Sequence, residues 1–501
     1  MTKRPKRRRA PPPGAPPSSG CAVDRGRSVR FWVWATAAGL VLRVLLIPYG
    51  AKFPFLWDHD FHARWGIQAT DESVLTLYDH PPPKWDVRVW QEGRWVITQS
   101  EFEPVLNLPP LSAYLFTTSG WIFKGLSADR LINTSASRAA FSVWSILGDF
   151  LVAWGCAALV ARYRPGWPAR ATYALVLLAP PLWIDSLLWG QVDSVLLAPA
   201  VWMIWALTRQ RWVMAGVLYG LMIVLKPQAV LFIPVWGLAV VFARMRWKPL
   251  TALSLSAAVT LIIASPFILD SGWEWWQQSY VKNLLEAYPK TTLNAFNIWY
   301  VDLLICGDAD AMVPWLGIAK DAWSKALLVL ALGFGFIWMV RRWRGDSRGL
   351  ILWTALSLLL CLMLPTRVRE RYLVLALPFL FVAAVLWARF WPGTIMLLIV
   401  AVAQLTWPNW QQAEAGRLAV LEREVQSYEQ ALSELPPEQR AQWPYVKRQF
   451  EAGRQQIAAA RAKTVGFEWF IIVLALAGTV ATVAAALSLK PEPRSAAAAV
   501  S

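Results

Sequence analysis

The sequence predicts an all-α protein that crosses a membrane many times. Of its 501 residues, 56% are hydrophobic and 16% are charged, whereas soluble proteins carry about 25% charged residues. Apolar stretches of the length needed to cross a bilayer, about 20 residues, recur between residues 31 and 407 and again over 466–489. The 33 tryptophans are typical of side chains at membrane–water interfaces. We therefore expect a polytopic bundle of about 11–13 transmembrane helices.

The N-terminal residues 1–30 carry nine of the basic residues that give the chain its net charge of +17. This segment is rich in proline and poor in apolar residues, so it is predicted to be a disordered tail, and its charge should keep it in the cytoplasm. The basic charge therefore indicates membrane orientation, and no nucleic-acid partner is expected. The four cysteines show no metal or redox spacing.

Short basic joints between the apolar stretches predict the topology. Those near residues 162–170, 209–211, 244–248, 341–344 and 389 should be cytoplasmic. The alternate joints then face outward, and they include a long first extracytoplasmic loop over 49–107. The segment 108–124 is short and begins Pro109-Pro110, so it either crosses the membrane, re-enters it or lies at the interface.

Residues 408–465 are predicted to form an extracytoplasmic helical hairpin. Apolar residues from Leu418 to Leu435 follow a heptad spacing, Pro436-Pro437 interrupts it, and a second amphipathic stretch follows. The hairpin is either a structural arm or a lid over an active site. A final transmembrane helix (466–489) and a short tail (490–501) complete the chain.

An acidic cluster follows the first apolar stretch, in the sequence Trp57-Asp-His-Asp-Phe-His62. A carboxylate of Asp58 or Asp60 at the membrane surface could take a proton from a hydroxyl group, which would make that hydroxyl a nucleophile. The histidines and carboxylates could instead bind a metal ion, although their spacing matches no known signature. A solvated interfacial loop is the third possibility.

Two polar joints on the same predicted face are candidate substrate sites. Gln191 and Asp193 lie in Trp-Gly-Gln-Val-Asp and could bind a sugar, although Asp193 would also serve as a helix cap. Lys226 precedes Pro227 and is either a cation for a lipid phosphate or a lysine that reaches out to the interface. Asp149 lies inside an apolar stretch and must pair within the bundle, in a structural or a functional role.

The segment Pro365–Arg371 carries Arg367, Arg369 and Arg371 on the face where cations are not expected. Guanidinium groups match phosphate oxygens, so a bound phosphate would explain the exception. Pairing with Glu370 is the alternative.

Six motifs in this order resemble the GT-C superfamily of membrane glycosyltransferases, in particular those that use dolichyl- or polyprenyl-phosphate sugars. They are Asp60-Phe-His-Ala-Arg-Trp65, Pro109-Pro-Leu-Ser-Ala-Tyr114, Trp189-Gly-Gln-Val-Asp-Ser194, Lys226-Pro-Gln228 with Gly216 and Gly220, Asn294-Ala-Phe-Asn-Ile-Trp299, and Arg369-Glu-Arg-Tyr372. The resemblance implies a GT-C-like catalytic module over residues 31–407. Where the family has a histidine this chain has Arg369, which can still contact phosphate but cannot donate a proton.

The resemblance implies an inverting hexosyltransferase of EC class 2.4. It would move a hexose, mannose or glucose, from a polyprenyl-phosphate donor to a hydroxyl of a glycan, a lipid-linked glycan or a protein. Asp60 would be the catalytic base, with Asp58 as its substitute. The donor phosphate would be bound by the four cations Arg367, Arg369, Arg371 and Lys226. Substrate hydroxyls would be bound by Gln191, Asp193, Asn294, Asn297 and His62.

No resident cofactor is expected, with a divalent metal ion as the alternative. The expected location is a bacterial inner membrane, with membrane lipids around the bundle and the active site on the periplasmic side. Other possible functions are a lipid-linked glycan transporter or flippase, an O-antigen-type polymerase or ligase with a pyrophosphate-linked donor, and a scaffold built around the hairpin. The glycosyltransferase interpretation requires that the acidic segment and the arginines before Tyr372 share one cavity.

Overall fold

A computed structural model describes residues 19–53, 57–91, 94–100, 105–286, 289–307, 309–434 and 444–491. Within these ranges most residues are helical and the only strands form two short hairpins, which confirms the predicted all-α class. The predicted tail is described only from Ser19, where the first helix begins. Residues 19–30 are therefore helical rather than part of a disordered tail, and residues 1–18 lie outside the described ranges.

The helices, in chain order, are α1 (Ser19–Gly50), α2 (Trp57–Asp71), α3 (Pro110–Leu126), α4 (Ser135–Ala161), α5 (Trp167–Leu178), α6 (Pro180–Trp183), α7 (Asp193–Thr208), α8 (Trp212–Leu225), α9 (Ile233–Val241), α10 (Trp247–Ser271), α11 (Glu274–Trp276), α12 (Ile298–Cys306), α13 (Lys320–Trp343), α14 (Arg348–Met363), α15 (Leu377–Leu386), α16 (Trp391–Glu434) and α17 (Pro444–Ser488). Between them lie π-helical turns (Ile184–Trp189, Gln277–Glu286) and 3₁₀ turns (Leu75–Tyr78, Pro227–Phe232, Tyr372–Leu375, Ala388–Phe390). Strands β1 (Asp86–Gln91) and β2 (Arg94–Gln99) pair antiparallel, as do β3 (Pro314–Trp315) and β4 (Ile318–Ala319).

Six helical segments in the described ranges are long and apolar enough to cross a membrane: Val29–Gly50, Ser135–Ala161, Trp247–Ser271, Lys320–Trp343, Ala388–Gln411 and Glu451–Ser488. Helix α5 and Pro180–Trp189 form a seventh, bent by 42°, and five shorter apolar helices accompany them. The described residues therefore contain six or seven segments with the length and apolarity of a span, and the count of about 11–13 transmembrane helices stays a prediction. The protein is an integral membrane protein.

Helices α14 and α15 occupy the middle of the bundle. Nearly every residue of both helices is buried, and their surfaces are apolar on all sides, as is typical of a helix enclosed by other helices. The surrounding helices include α4, α7 and α9, all of which contact this pair. This packing makes α14 and α15 a fixed support for the loop between them, which carries the arginines at 367–371.

The contacts of Asp149 indicate a structural role. Its carboxylate pairs with Arg43 of α1 at 2.7 Å and accepts hydrogen bonds from the hydroxyls of Ser186 (2.9 Å) and Ser194. Both members of the ion pair are fully buried, and a buried pair is tolerated when further hydrogen bonds satisfy its remaining polar atoms. This network joins α1, α4, the bent segment and the start of α7, so Asp149 holds the helices around the site.

Helix α3, whose course the sequence left open, does not cross the bundle. At its start the Ser112 hydroxyl donates to the carbonyl of Leu225 (2.5 Å), the last residue of α8. Just after its end, Arg130 pairs with Asp71 of α2 at 2.8 Å. One end of α3 therefore lies beside the end of α8 and the other beside the end of α2. We call this end of the bundle the site end.

The short basic joints meet at the opposite end. Tyr163 shares a hydrogen bond with Ser347 (2.8 Å), Arg164 donates to the carbonyl of Val385 (2.7 Å), and Arg389 donates to the hydroxyl of Ser488 (3.1 Å). These contacts bring the joints near residues 163, 344 and 389 together. Helix α4 separates them from the acidic segment, because it begins where Ser137 contacts His59 (3.1 Å) and ends at Ala161.

The predicted hairpin is an extension of two long helices. Helices α16 and α17 run without a break from the apolar bundle into its two arms. The arms contact each other through an ion pair between Glu422 and Arg461 (2.6 Å), and Val425 lies so close to Gly453 that a Cβ there would come within 2.5 Å of it. The tip with Pro436-Pro437 lies outside the described ranges, and the lid role stays a prediction.

Candidate active site

The acidic segment is the first turn of helix α2, and helical spacing decides which of its residues face inward. Asp58, Phe61, His62 and Trp65 follow the spacing i, i+3, i+4 and i+7, which places them on one face, and all four line one cavity. Asp60 lies on another face of α2 and is not among the residues that line this cavity.

Helix α2 is held in place by close contact with α3. A Cβ on Gly120 would lie 2.3 Å from the carbonyl oxygen of Gly66, and a Cβ on Gly66 would lie 2.7 Å from that of Phe116. Only glycine allows two helix backbones to approach so closely. The ring of His62 also stacks on Phe116, with centroids 4.5 Å apart.

The bent segment provides the next wall. Its π-helical turn ends at Gly190, which has a left-handed φ of 75° and so favours glycine. Because a carbonyl oxygen can only accept, His62 must donate its Nδ1–H to the Gly190 carbonyl (3.0 Å). That bond leaves Nε2 of the neutral ring as an acceptor. Gln191 follows directly and lines the cavity.

Lys226 enters the cavity where α8 ends before Pro227. It has an extended backbone, is 3% exposed, and pairs with Asp193. Its ammonium also lies 3.5 Å from the side-chain oxygen of Gln191. Lys226 therefore does not reach out to the interface. The N-cap of α7 is Val192, without a side-chain capping bond, so the carboxylate of Asp193 serves Lys226 rather than the helix end.

The arginine segment is tied to the loop that precedes α12. Backbone amides of Arg367, Leu293 and Glu370 donate to the carbonyls of Lys290 (3.1 Å), Val368 (3.0 Å) and Leu293 (2.9 Å), respectively. These bonds hold the arginine segment against the site end. Arg369 and Arg371 point into the cavity as lining residues.

Arg371 contacts three carboxylates. Its Nη1 lies 3.0 Å from Asp58 and 3.5 Å from Glu370, and its Nε lies 3.9 Å from Asp193. Pairing with Glu370 is therefore present, but the closest partner is Asp58, 313 positions away in the chain. The condition set by the sequence, one cavity shared by the acidic segment and the arginines, is met.

The cavity is narrow and cationic. Its charged lining residues are Asp58, Lys226, Arg369 and Arg371, which is one carboxylate against three cations. Its volume is about 50 Å³, whereas sites for small molecules usually span about 300–1,000 Å³. A sugar phosphate could enter only if the walls move apart. Its phosphate would also compete for these cations with Asp58 and with Asp193 and Glu370, which lie directly behind the lining.

Four other predicted residues are placed outside the lining. Asp60 pairs with Arg64 of its own helix at 3.4 Å, and Arg367 lies 3.3 Å from Asp321. Asn297 caps α12, with its oxygen accepting from the amide of Trp299 (3.0 Å) and its nitrogen donating to the carbonyl of Pro365 (3.0 Å). Asn294 has a left-handed φ of 58° and forms a backbone bridge with Arg369. Asn294 and Asn297 thus position the arginine segment.

Several lining residues were not singled out as site residues from the sequence: Phe61, Trp65, Asn107, Leu108, Gln228, Asn283 and Tyr372. Gln228 and Tyr372 belong to the quoted motifs, and the Gln228 amide donates to the Tyr372 hydroxyl at 2.7 Å. Phe61 and Trp65 could have been found from their helical spacing with Asp58. Asn107 and Asn283 are far apart in the chain and carry no sequence signal.

The two carboxyls of α2 have opposite pKa shifts. Burial alone would raise the pKa of Asp58, but Arg371 and then Arg369 outweigh it and hold that pKa below its usual value. Burial raises the pKa of Asp60 to about 6, because Arg64 compensates only in part. Burial lowers the pKa of His62 to about 4, against an opposing effect of Asp58. At neutral pH Asp58 is therefore an anion and His62 is neutral.

Within the described ranges, no group of three or more His, Cys, Asp or Glu side chains is arranged to hold a metal ion. The side chains that line the cavity offer a carboxylate, a neutral imidazole, amides and three cations. A carboxylate can accept a proton from a hydroxyl, and guanidinium and ammonium groups can stabilise charge that develops on a phosphate.

Fold and cavity together are those of an integral membrane protein with a buried cluster of charged side chains at one end of its bundle. The sequence profile of glycosyltransferase family 87 matches residues 109–365, just over half of the chain. The chain belongs to this family. The assignment confirms the predicted class, a GT-C-type membrane glycosyltransferase. The matched range contains Gln191, Asp193 and Lys226, whereas Asp58 and Arg371 lie outside it.

Two solved structures resemble this chain at low identity. They are the crystal structures of ArnT from Cupriavidus metallidurans bound to undecaprenyl phosphate and in the apo state. Both have 15% sequence identity and a TM-score of 0.43, and the matches cover 91% and 92% of this chain and 76% and 77% of theirs. A comparison with curated proteins gave no significant match.

Proposed function

We propose that the protein is an inverting hexosyltransferase that uses a polyprenyl-phosphate sugar at the extracytoplasmic face of a bacterial inner membrane. The observation that carries this proposal is the ion pair of Asp58 and Arg371 in a cavity that also contains Arg369 and Lys226. A base and a phosphate-binding set in one cavity are what a single displacement at an anomeric carbon requires.

The donor phosphate would occupy the cationic side of the cavity. Arg371, Arg369 and Lys226 would bind its oxygens, and guanidinium groups suit this role because they can form paired hydrogen bonds to phosphate. The same cations would stabilise the negative charge that grows on the phosphate as the glycosidic bond breaks. The predicted phosphate contact of Arg367 receives less support, because Arg367 lies beside Asp321.

Asp58 is the proposed catalytic base. It would take the proton of the acceptor hydroxyl while the hydroxyl oxygen attacks the anomeric carbon and the lipid phosphate departs with the bonding electrons. One displacement inverts the anomeric configuration. Asp58 is favoured over Asp60 as the base because Asp58 lines the cavity, whereas Asp60 pairs with Arg64 on another face of α2.

Two amides are suited to recognise sugar hydroxyls. The side-chain nitrogen of Gln191 and the side-chain oxygen of Gln228 are buried and have no hydrogen-bond partner among the described residues. A buried polar atom without a partner is costly, and a hydroxyl group can both accept from the first and donate to the second. Mannose or glucose carries such hydroxyls, and the neutral ring of His62 adds an acceptor.

No step in this scheme requires a metal ion, so we propose transfer without a cofactor. Family membership favours a transferase over a lipid-linked glycan transporter. A polymerase or ligase would share the cavity but use a pyrophosphate-linked donor, so the choice of donor distinguishes the two.

The test is transfer by the purified protein in nanodiscs. Radiolabelled polyprenyl-phosphate mannose, glucose and other sugars, together with a polyprenyl-pyrophosphate sugar, are supplied with membrane extract as acceptor, with and without a chelator. We expect product from a monophosphate hexose donor only, with inverted configuration by NMR and no effect of the chelator. Product from the pyrophosphate donor alone, or with retained configuration, would contradict the proposal.

A further inference from the structure

A groove of about 870 Å³ lies at the end of the bundle opposite to the active site, between the last turns of α13 and the end of α17. Phe334, Ile337 and Trp338 form its apolar wall. Phe334 is 70% exposed and Ile337 is 52% exposed, so the fold itself leaves this wall uncovered. The residues of the active-site cavity have no part in this groove.

The apolar wall and Arg341 belong to one face of α13. Phe334, Ile337, Trp338 and Arg341 follow the spacing i, i+3, i+4 and i+7, which is one stripe of a helix. The stripe is apolar along its length and becomes cationic at its last turn. A stripe of this kind matches an amphiphile that lies parallel to the helix with its polar group at the helix end.

Three cations surround the polar end of the groove. They are Arg341, Arg342 and Lys490, and the described lining residues include no carboxylate. Arg342 donates from Nε to the carbonyl of Leu489 (2.8 Å), so its guanidinium is held between α13 and α17. A fixed guanidinium with two neighbouring cations is a site for phosphate oxygens.

We propose that this groove binds one anionic phospholipid. The acyl chains would lie against Phe334, Ile337 and Trp338, and the phosphate with its anionic headgroup would contact Arg341, Arg342 and Lys490. Basic pockets between membrane helices attract anionic headgroups because their cations add to the attraction of the membrane surface. The lipid would fill the gap between α13 and α17 and stabilise their relative position.

The test compares two lipids with identical acyl chains, phosphatidylglycerol and phosphatidylcholine. Purified full-length protein is delipidated, incubated with an equimolar mixture and examined by native mass spectrometry. We expect the first bound lipid to be phosphatidylglycerol with a preference of at least tenfold. Equal binding of both lipids would overturn the proposal.

Variants test whether the cations of the groove bind the lipid. Arg341→Gln with Lys490→Gln should reduce the preference to below threefold, whereas the matched change Arg244→Gln with Arg246→Gln, at exposed arginines of another basic joint, should leave it intact. Equal loss in both pairs would mean that only the overall surface charge matters, and the groove would be refuted.

A second variant changes the shape without changing charge. Ile337→Trp should fill the groove and lower phosphatidylglycerol retention, with the thermal unfolding temperature of the lipid-free protein unchanged. A photoreactive phosphatidylglycerol should crosslink to peptides containing Phe334–Trp338. Crosslinks confined to other helices, or unchanged retention in Ile337→Trp, would refute the groove as the binding site.

Discussion

The substitution Asp58→Asn separates the role of the carboxylate charge from its role in packing. Asparagine has nearly the same shape, so it fills the same space beside Arg371 but cannot take a proton at neutral pH. Asp58 is the closest carboxylate to Arg371, at 3.0 Å. The variant therefore removes the proposed base and one partner of the phosphate-binding arginine.

The expected magnitudes differ for activity and for stability. General-base catalysis contributes about 10²–10⁴ in rate, so the turnover number should fall by that factor. The fold should survive, because Arg371 keeps Glu370 at 3.5 Å and Asp193 at 3.9 Å. Loss of one charged hydrogen bond costs about 1.5–3 kcal/mol, which is a modest shift for a chain of this size.

Sugar transfer is measured in nanodiscs with the donor that gives product in the transfer test. Thermal unfolding is measured on the same preparations. Asp60→Asn is the informative comparison and should keep more than a tenth of the activity, since Asp60 does not line the cavity. The exposed Asp129→Asn is the surface control. Near-normal turnover in Asp58→Asn, with Asp60→Asn inactive, would transfer the role of base to Asp60 and refute the geometric argument.

Three further predictions follow from single contacts. Arg371→Lys keeps the charge but loses the planar guanidinium that can contact several oxygens at once. The KM for the donor should therefore rise about tenfold or more, while kcat changes less. A large fall in kcat with little change in KM would contradict a phosphate-binding role. Gly120→Ala places a Cβ 2.3 Å from the backbone oxygen of Gly66, so it should lower both the unfolding temperature and the activity. Gly125, on the same helix, has open space around it, so Gly125→Ala should change neither. Equal effects of the two substitutions would disprove the close contact between α2 and α3. Burial lowers the pKa of His62 from 6.5 to about 4. Between these two values the unfolded state binds more protons than the folded state, so the free energy of unfolding decreases as the pH falls from 6.5 to 4, by up to roughly 3 kcal/mol. His62→Gln should flatten the pH dependence of the unfolding temperature in that window, and an unchanged slope would show that His62 is not buried in its neutral form.

The all-α membrane class and the two polar ends of the bundle could be predicted because they depend on properties summed along the chain. Hydropathy over about 20 residues identifies spans, and the bias of arginine and lysine between joints predicts orientation. Three of the predicted basic joints, near 162–170, 341–344 and 389, do come together at one end of the fold, through contacts of Tyr163, Arg164 and Arg389.

The partner of each charged side chain could not be predicted in the same way. Asp58 and Asp60 are two positions apart and chemically identical, yet one faces Arg371 and the other faces Arg64. The difference comes from the helical conformation of α2, in a stretch that the sequence placed in a long extracytoplasmic loop. Asn297 illustrates the same point, because a residue expected to bind sugar is used to cap α12.

By itself the sequence determined that this protein is embedded in a membrane and that carboxylates lie at one end of its bundle. It also determined which superfamily its motifs resemble. Only the tertiary structure decided that Asp58 rather than Asp60 pairs with Arg371, and that both ends of α3 lie at the same end of the bundle. It also decided that Asp149 contributes to the packing of the helices. The physical reason is that hydropathy and net charge are local sums along the chain. An ion pair between residues 313 positions apart depends on how helices pack and on which face of each helix turns inward.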